Sequence, residues 1–354
     1  MRYAGRFVVE THAHITTLYK PVETKNKAWQ GAAEVADNSE MCLYDMERYG
    51  IDMCLIKPPS QLGPTNDFHA EIVDKHPDKF RAFCTDQTQK LKVAQGEANW
   101  DIDASAREVE DALKTGKFIG IGEFVPRDWN PRKIYGFEER LNEWRIFMDL
   151  ARAYKVTIDY HEFSGGHHWD HWTLLRRLAG EYPDVPIIVC HAGHSAGGYN
   201  NGEQVLRQAL GATASGWRNG ANNIYLETET WPAEYFRIAM DDPNVGITQL
   251  LWGGDYGSRQ YIVAPRDRDQ TKYAAFMRRW QLVAPYQVDW WGTALHRIDE
   301  VRNFATQDEI NLIMGGNAAR VFDLPLPMPY HRMFMNGRPD HWGAYWQGSM
   351  ADSN

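Results

Sequence analysis

The stretch VVETHAHI, residues 8–15, begins as an apolar run and ends in polar residues. Glu10, His12 and His14 stand at every second position within it. Because successive side chains of a strand point to opposite faces, these three side chains are predicted to point the same way. Buried imidazoles and carboxylates need partners, since an unpaired one costs several kcal/mol. The stretch therefore predicts a buried strand whose carboxyl end opens onto a polar site.

Seven more apolar segments follow this first strand, each ended by a polar residue, glycine or proline. Amphipathic helical patterns lie between them, such as 136–155 with apolar residues at Leu141, Trp144 and Phe147. Short apolar runs of this kind are typical of parallel strands buried on both faces. With the first strand at 6–14, the predicted strands lie at 52–59, 80–85, 118–125, 156–163, 186–193, 223–230 and 249–257.

Eight strands alternating with helices are the number that a (β/α)₈ TIM barrel requires. A doubly wound open sheet shares this alternation, but no GxGxxG turn follows the first strand. We predict a single barrel domain over residues 1–354. We predict that 261–302 is an insertion before the last helix. The aromatic segment 325–354 is predicted to be an extension that packs on the barrel or on another subunit.

Composition restricts the partners of the protein. The chain of 354 residues carries a net charge of −9, which argues against nucleic-acid or membrane binding because both favour a basic surface. No apolar run is long enough to cross a bilayer, and the amino terminus lacks the pattern of a signal peptide. Four cysteines stand far apart without a CxxC pair, which favours buried free thiols in a reducing cytoplasm.

Polar residues cluster where the predicted strands end, which in a barrel is the catalytic face. Histidine nitrogen and carboxylate oxygen are the ligands of zinc and related divalent metals, so the cluster predicts a metal site. A buried histidine can also be a hydrogen-bonded core residue, and HxH alone is a weak signal. The run HHWDH at 167–171 follows a strand end, and we interpret it as a substrate lid or surface. Beyond the first strand, the residues at strand ends are Lys57, Glu123, His161, His191, Glu227, Glu229 and Asp255.

The loops after the strands combine aromatic rings with cations. Flat aromatic walls with one or two positive charges suit an aromatic or conjugated carboxylic acid. Other interpretations compete with substrate binding: each tryptophan can pack on the barrel, and each arginine can be an exposed surface charge. The predicted substrate-binding residues are Lys57, Arg127, Trp169 and Arg259.

The chain resembles the amidohydrolase superfamily, in the amidohydrolase-2 branch related to aminocarboxymuconate-semialdehyde decarboxylase. The matching stretches span nearly the whole chain in family order: ETHAHI, DMERYGIDMCLI, HEF, IIVCHAGH, LLWGGDYG and GGNAARVFDL. The resemblance implies a distorted (β/α)₈ barrel with one catalytic divalent metal ion, zinc or manganese. It implies metal ligands at His12, His14, His161 and Asp255, and a general acid or base at His191.

Two positions depart from the pattern of that branch. Many members begin with Asp-x-His-x-His, whereas this chain has Glu10 in the first place. We include Glu10 among the predicted metal ligands. Its alternative role is to orient a side chain that binds the metal. Superfamily members with two metals carry a bridging lysine on the fourth strand, and this chain has Glu123 there. That difference favours one metal, although a carboxylate can also bridge two.

The resemblance and the loops together predict a nonoxidative decarboxylase of an aromatic or muconate-like carboxylic acid, in which Asp255 and His191 move protons. The same residues suit a hydrolase that cleaves a C–N, C–O or activated C–C bond with metal-activated water. A third hypothesis is a barrel that has lost catalysis, but the complete ligand set argues against it. We expect a cytoplasmic homodimer acting on a small molecule.

Overall fold

The computed structural model describes residues 7–18, 25, 35–60, 62–126, 135–162, 171–193, 202–218, 223–228, 231–257 and 290–325. Eight parallel strands in these ranges form one sheet in which sequence neighbours pair, and a two-stranded antiparallel sheet accompanies it. The strands are β1 (Val9–Ala13), β2 (Thr16–Leu18), β3 (Val35–Asp37), β4 (Met53–Ile56), β5 (Phe80–Cys84), β6 (Phe118–Phe124), β7 (Thr157–Tyr160), β8 (Ile187–Val189), β9 (Ile224–Glu227) and β10 (Leu250–Leu251).

Helices alternate with the strands of the large sheet. A π-helical turn at Leu312–Gly316 connects the last two of them. The helices are α1 (Ser39–Tyr49), α2 (Asn66–Lys75), α3 (Gln87–Ala94), α4 (Ile102–Lys114), α5 (Phe137–Tyr154), α6 (His171–Glu181), α7 (Gly202–Arg218), α8 (Ala233–Asp241), α9 (Trp290–Val301), α10 (Gln307–Asn311) and α11 (Asn317–Val321).

The sheet closes on itself between β1 and the segment after β10. The backbone N–H of His14 donates to the carbonyl of Tyr256 at 2.7 Å, and that of Tyr256 donates to the carbonyl of His12 at 3.1 Å. The strands alternate with helices around this closed sheet, so the predicted (β/α)₈ barrel is confirmed. Register shifts in β1, in β5 against β6 and in β6 against β7 distort it.

Each strand has two buried faces, which explains the continuous apolar runs. The interior of the barrel is filled at its lower end by Val9, Met53, Leu55, Phe83 and Leu251. The opposite faces pack against the helices in a larger cluster, to which α5 contributes a buried stripe. That stripe consists of Leu141, Trp144, Phe147, Met148 and Ala151, as the helical pattern predicted.

All eight predicted barrel strands are present, whereas several other elements were missed. The structure adds α2, α3 and the β2–β3 pair, which are short and only partly apolar. Of the predicted insertion at 261–302, residues 290–301 form the helix α9, which packs on α8. The rest of the insertion and the extension beyond 325 lie outside the described residues. No described helix is long and apolar enough to cross a membrane. All four cysteines are buried free thiols.

The π-helical turn lies against the start of β1, and a glycine makes this approach possible. A Cβ atom at Gly315 would lie 1.9 Å from the carbonyl oxygen of Phe7. Real Cβ atoms do not approach a backbone oxygen this closely, so the turn can hold its position only without a side chain at residue 315. Gly211 lies on an exposed part of α7, and a Cβ atom at this residue would meet only open space.

We predict that Gly315→Ala lowers the free energy of unfolding by about 3 kcal/mol, because two backbone segments must separate to admit the methyl group. The matched control Gly211→Ala is expected to be neutral or to stabilise by about 1 kcal/mol, since alanine favours helix. Denaturant unfolding of both variants measures the difference. Equal stability of the two variants would contradict the close contact between the π-helical turn and β1.

Candidate metal centre

Six side chains meet at the carboxyl ends of the barrel strands, and we call them the histidine–carboxylate cluster. One lies in β1 and one just after it, one lies in β6, and the others follow β7, β8 and β10. Because the carboxyl ends of parallel strands share one end of the barrel, residues far apart in sequence converge there. The cluster consists of His12, His14, Glu123, His161, His191 and Asp255.

The hydrogen bonds of His12 and His14 determine which ring nitrogen carries the proton. His12 Nδ1 lies 2.7 Å from a carboxylate oxygen of Glu227, and His14 Nδ1 lies 2.9 Å from the carbonyl oxygen of Lys57. Both partners are acceptors, so each Nδ1 must be the N–H donor. Burial also lowers the pKa of His12 to about 4, which keeps its ring neutral. The His12 ring therefore presents a lone pair at Nε2, and the His14 tautomer with its proton on Nδ1 does the same.

These two lone pairs face each other. The Nε2 atoms of His12 and His14 are 3.1 Å apart, and no proton is left to join them in these tautomers. Asp255 Oδ1 lies 3.4 Å from His14 Nε2 and 3.9 Å from His12 Nε2. Among the described residues, neither oxygen of Asp255 has a hydrogen-bond partner, although both are buried. Two nitrogen lone pairs and an unpartnered carboxylate in one place are the donor set that a divalent cation requires.

Glu123 joins the two halves of the cluster. One carboxylate oxygen lies 2.6 Å from His161 Nε2 and 3.3 Å from His191 Nε2. The other lies 3.6 Å from His14 Nε2. Burial opposes ionisation of Glu123, but the histidines outweigh it and hold its pKa well below the usual range. The carboxylate therefore contacts every imidazole of the cluster or lies within reach of it, as a further candidate ligand.

His191 has an unusual backbone and a perturbed side chain. It follows β8 with a φ of 55°, and Asp255 has a φ of 51°. The left-handed region is costly for residues with a side chain, and such strain often occurs at functional sites. Burial lowers the pKa of His191, but the hydrogen bond to Glu123 and the charge of Asp255 outweigh it and raise the pKa above the ordinary value. The group can therefore hold a proton beside the carboxylates.

A buried ion triad of Lys57, Asp159 and Glu227 lies beneath the cluster. The Lys57 ammonium contacts Asp159 and lies 2.5 Å from Glu227 Oε1, and all three side chains are 0% exposed. Burial raises the pKa of Asp159, and the charge of Lys57 acts in the opposite direction. Burial acts in the same direction on Glu227, but Lys57 and His12 outweigh it and lower its pKa to about 2. This geometry gives no support to the prediction that Lys57 binds substrate, because two carboxylates enclose its charge inside the barrel.

Glu10 does not face the cluster. Its carboxylate accepts hydrogen bonds from the backbone N–H groups of Gly254 and His12 at 2.8 Å and from Trp291 Nε1 at 2.5 Å. Burial raises its pKa to about 8 although these bonds act in the opposite direction. Within the described ranges, the groups of side chains close enough to share a cation do not include Glu10.

The register of β1 explains why Glu10 does not face the cluster. From Glu10 to Ala13 the strand advances three residues while β4 advances two, from Cys54 to Ile56. This bulge shifts the alternation by one residue. Glu10 therefore lies on the helix side, beside Trp291 of α9, whereas His12 and His14 point into the barrel mouth. The prediction that all three point the same way is corrected: Glu10 accepts hydrogen bonds from the loop after β10 and points away from the cluster.

The structure brings together His12, His14 and Asp255, with His161 reaching them through Glu123. Sequence reasoning did not place Asp159 in the site and noted Glu227 only as a strand-end residue. It considered Glu123 as a carboxylate that can bridge two metals. An acidic residue at an inward position of a buried strand was the signal for all three. The predicted substrate residues Arg127, Trp169 and Arg259 lie outside the described part of the chain.

A family model described as amidohydrolase matches residues 9–324. The chain therefore belongs to the amidohydrolase family, in the amidohydrolase-2 branch, and is an enzyme of that superfamily. The family is metal-dependent, and the histidine–carboxylate cluster is a candidate metal site. A search of proteins with curated function gives no match.

Solved structures with similar folds span nearly the whole chain at low identity. A probable 2-pyrone-4,6-dicarboxylic acid hydrolase from Acinetobacter baumannii with citric acid bound is 12% identical, with a TM-score of 0.57 over 90% of this chain and 99% of that chain. A 4-oxalomesaconate hydratase from Rhodopseudomonas palustris is 14% identical, with a TM-score of 0.53 over 90% and 96%.

A dihydroxybenzoic acid decarboxylase from Polaromonas sp. JS666, with bound manganese and the inhibitor 2-nitroresorcinol, is 17% identical, with a TM-score of 0.50 over 92% and 99%. At this level of identity the similarity to all three structures shows a shared fold. It leaves the reaction to be argued from the site itself.

Proposed function

We propose that this enzyme is a metal-dependent nonoxidative decarboxylase of an aromatic or conjugated carboxylic acid. The observation that carries the proposal is the convergence of two Nε2 lone pairs with the unpartnered carboxylate of Asp255 at the barrel mouth. The similar folds include a decarboxylase and a hydrolase of small carboxylic acids, which supports a substrate of this class.

The residues present fit one divalent ion of the zinc or manganese type. His12, His14 and Asp255 would hold it directly, and His161 with Glu123 would complete the site. When bound, such an ion binds and polarises a carboxylate or phenolate oxygen of the substrate. Manganese is present in the decarboxylase of similar fold, and imidazole nitrogens suit zinc at least as well.

Proton transfer falls to His191 in this proposal. Its Nε2 atom lies 3.3 Å from Glu123, and its ring lies against the rings of His12 and His161 with centroids 4.6 and 5.2 Å away. His191 delivers a proton to the carbon that carries the carboxylate. The bond from that carbon to the carboxylate then breaks, its electron pair restores the conjugated system, and carbon dioxide leaves. One proton enters the product for each carboxylate lost.

Hydrolysis is the second candidate, and Asp255 is the observation that favours it. A buried carboxylate with both oxygens unpartnered among the described residues is suited to accept a proton from an attacking water. The hydrolase of similar fold is consistent with this reaction on a related scaffold. A homodimer and a cytoplasmic location stay predictions from the sequence.

We predict that the purified protein binds about one divalent ion per chain and that His12→Ala or His161→Ala removes it together with activity. Elemental analysis after dialysis measures the metal. His296→Ala is the control, because this histidine is an exposed residue of α9, outside the cluster. Full metal occupancy in the double variant His12→Ala with His14→Ala would refute the assignment.

We predict that His191→Asn keeps the metal but lowers kcat about 10²-fold, the usual effect of losing a general acid or base. Metal content and turnover are measured on the same preparation, so that loss of metal cannot be mistaken for loss of proton transfer. A metal-free His191→Asn protein would make His191 a ligand and contradict its proton-transfer role.

Isotope labels distinguish the two reactions on one accepted substrate. A decarboxylase releases carbon dioxide and, in D₂O, places one deuterium on the carbon that lost its carboxylate. A hydrolase instead places oxygen from ¹⁸O-labelled water in its product. We expect carbon dioxide and deuterium from a panel of phenolic and muconic acids, detected by mass spectrometry. Oxygen-18 in the product without carbon dioxide would replace decarboxylation by hydrolysis.

A further inference from the structure

Lys57 is connected to both histidines of β1, although its charge never reaches the mouth of the barrel. Its carbonyl oxygen accepts the hydrogen bond from His14 Nδ1 at 2.9 Å. Its ammonium lies 2.5 Å from Glu227 Oε1, and the other oxygen of Glu227 lies 2.7 Å from His12 Nδ1. Lys57 therefore accepts the hydrogen bond that orients His14 and holds the carboxylate that accepts the one from His12.

Each oxygen of the Glu227 carboxylate has its own partner, and the two oxygens cannot exchange partners. Lys57 is a donor only, so Oε1 must accept from the ammonium, and Oε2 is left to accept from His12. The side chains of His12, Lys57 and Glu227 are all 0% exposed, so water does not compete for these bonds. The arrangement selects the tautomer of His12 in which the proton is on Nδ1 and the lone pair on Nε2.

We propose that Glu227, held by Lys57, is a positioning residue that sets the tautomer of His12 and thereby the metal affinity of the site. The inference rests on the proposed metal-binding function. Partners of this kind orient a ligating ring, and their loss typically weakens metal binding about 10- to 100-fold. A triad that only filled the barrel would affect folding stability and leave metal affinity unchanged.

Glu227→Gln separates these two roles. The Lys57 ammonium needs an acceptor, so the glutamine must turn its carbonyl oxygen toward Lys57 and its NH₂ toward His12. His12 Nδ1 would then have to accept, and the proton would move to Nε2, where it blocks metal binding. The volume of the side chain hardly changes, and Lys57 keeps Asp159 as its ionic partner.

The test measures the metal dissociation constant by zinc competition with a chromophoric chelator. We expect Glu227→Gln to weaken zinc binding about 10- to 100-fold relative to the unmodified protein. Asp86→Asn is the matched control, because Asp86 is also 0% exposed and paired with a buried lysine, Lys90, without contacting the cluster. This control is expected to keep the original zinc affinity. Equal affinity of Glu227→Gln and the unmodified protein would overturn the proposal.

A second measurement can be decided on the unmodified protein alone, so it does not require a variant to fold. In metal-free protein labelled with ¹⁵N-histidine, NMR shifts report which ring nitrogen carries the proton. We expect His12 to carry it on Nδ1 in the unmodified protein and on Nε2 in Glu227→Gln. A proton on Nε2 of His12 in the unmodified protein would refute the inference. Failure of the unmodified protein to bind zinc would instead refute the proposed function, and the NMR result would still decide the tautomer.

Discussion

The burial of the Lys57 ammonium between Asp159 and Glu227 is the constraint on which the site depends. A charge without a partner inside a barrel costs several kcal/mol, so the two carboxylates must meet the ammonium there. These residues lie at the ends of β7 and β9 and just after β4, so the requirement fixes three strands relative to one another. It also fixes Glu227 against His12, and so transmits the geometry of the barrel interior to the mouth.

Irregular backbone aims the remaining side chains. The bulge in β1 turns His12 and His14 inward and sends Glu10 outward, where it supports the loop after β10. His191 and Asp255 both adopt positive φ values in the segments that follow their strands. Regular strands would distribute these side chains on alternate faces, so the departures from regular geometry allow six polar groups to share one space.

The barrel fold by itself does not decide the reaction. Barrel interiors are filled with packed side chains, and the reaction is decided by groups at the carboxyl ends of the strands. In this chain, imidazoles and carboxylates form a cluster with the donor set of a cation site, and His191 lies 3.3 Å from the Glu123 carboxylate within it. Similar structures with hydrolase, hydratase and decarboxylase activities share the fold and differ in what they act on.

The sequence by itself determined the eight barrel strands, because buried parallel strands require apolar residues on both faces and leave continuous apolar runs. It also determined that His12, His14, His161, His191 and Asp255 would gather at one end, since strand ends of a barrel share that end. Short elements such as α2 and α3 were not predicted, because their hydrophobic patterns are brief and mixed with polar residues.

Only the tertiary structure decided what each polar side chain does. A one-residue bulge is invisible in a pattern of alternating residues, yet it removed Glu10 from the cluster. Lys57 is a cation at a strand end, where a substrate-binding residue is expected. Only the packing of three strands shows that two carboxylates enclose its ammonium. Burial and hydrogen bonding are properties of neighbours in space, and the neighbours that matter at this site are up to 243 positions apart along the chain, as Asp255 is from His12.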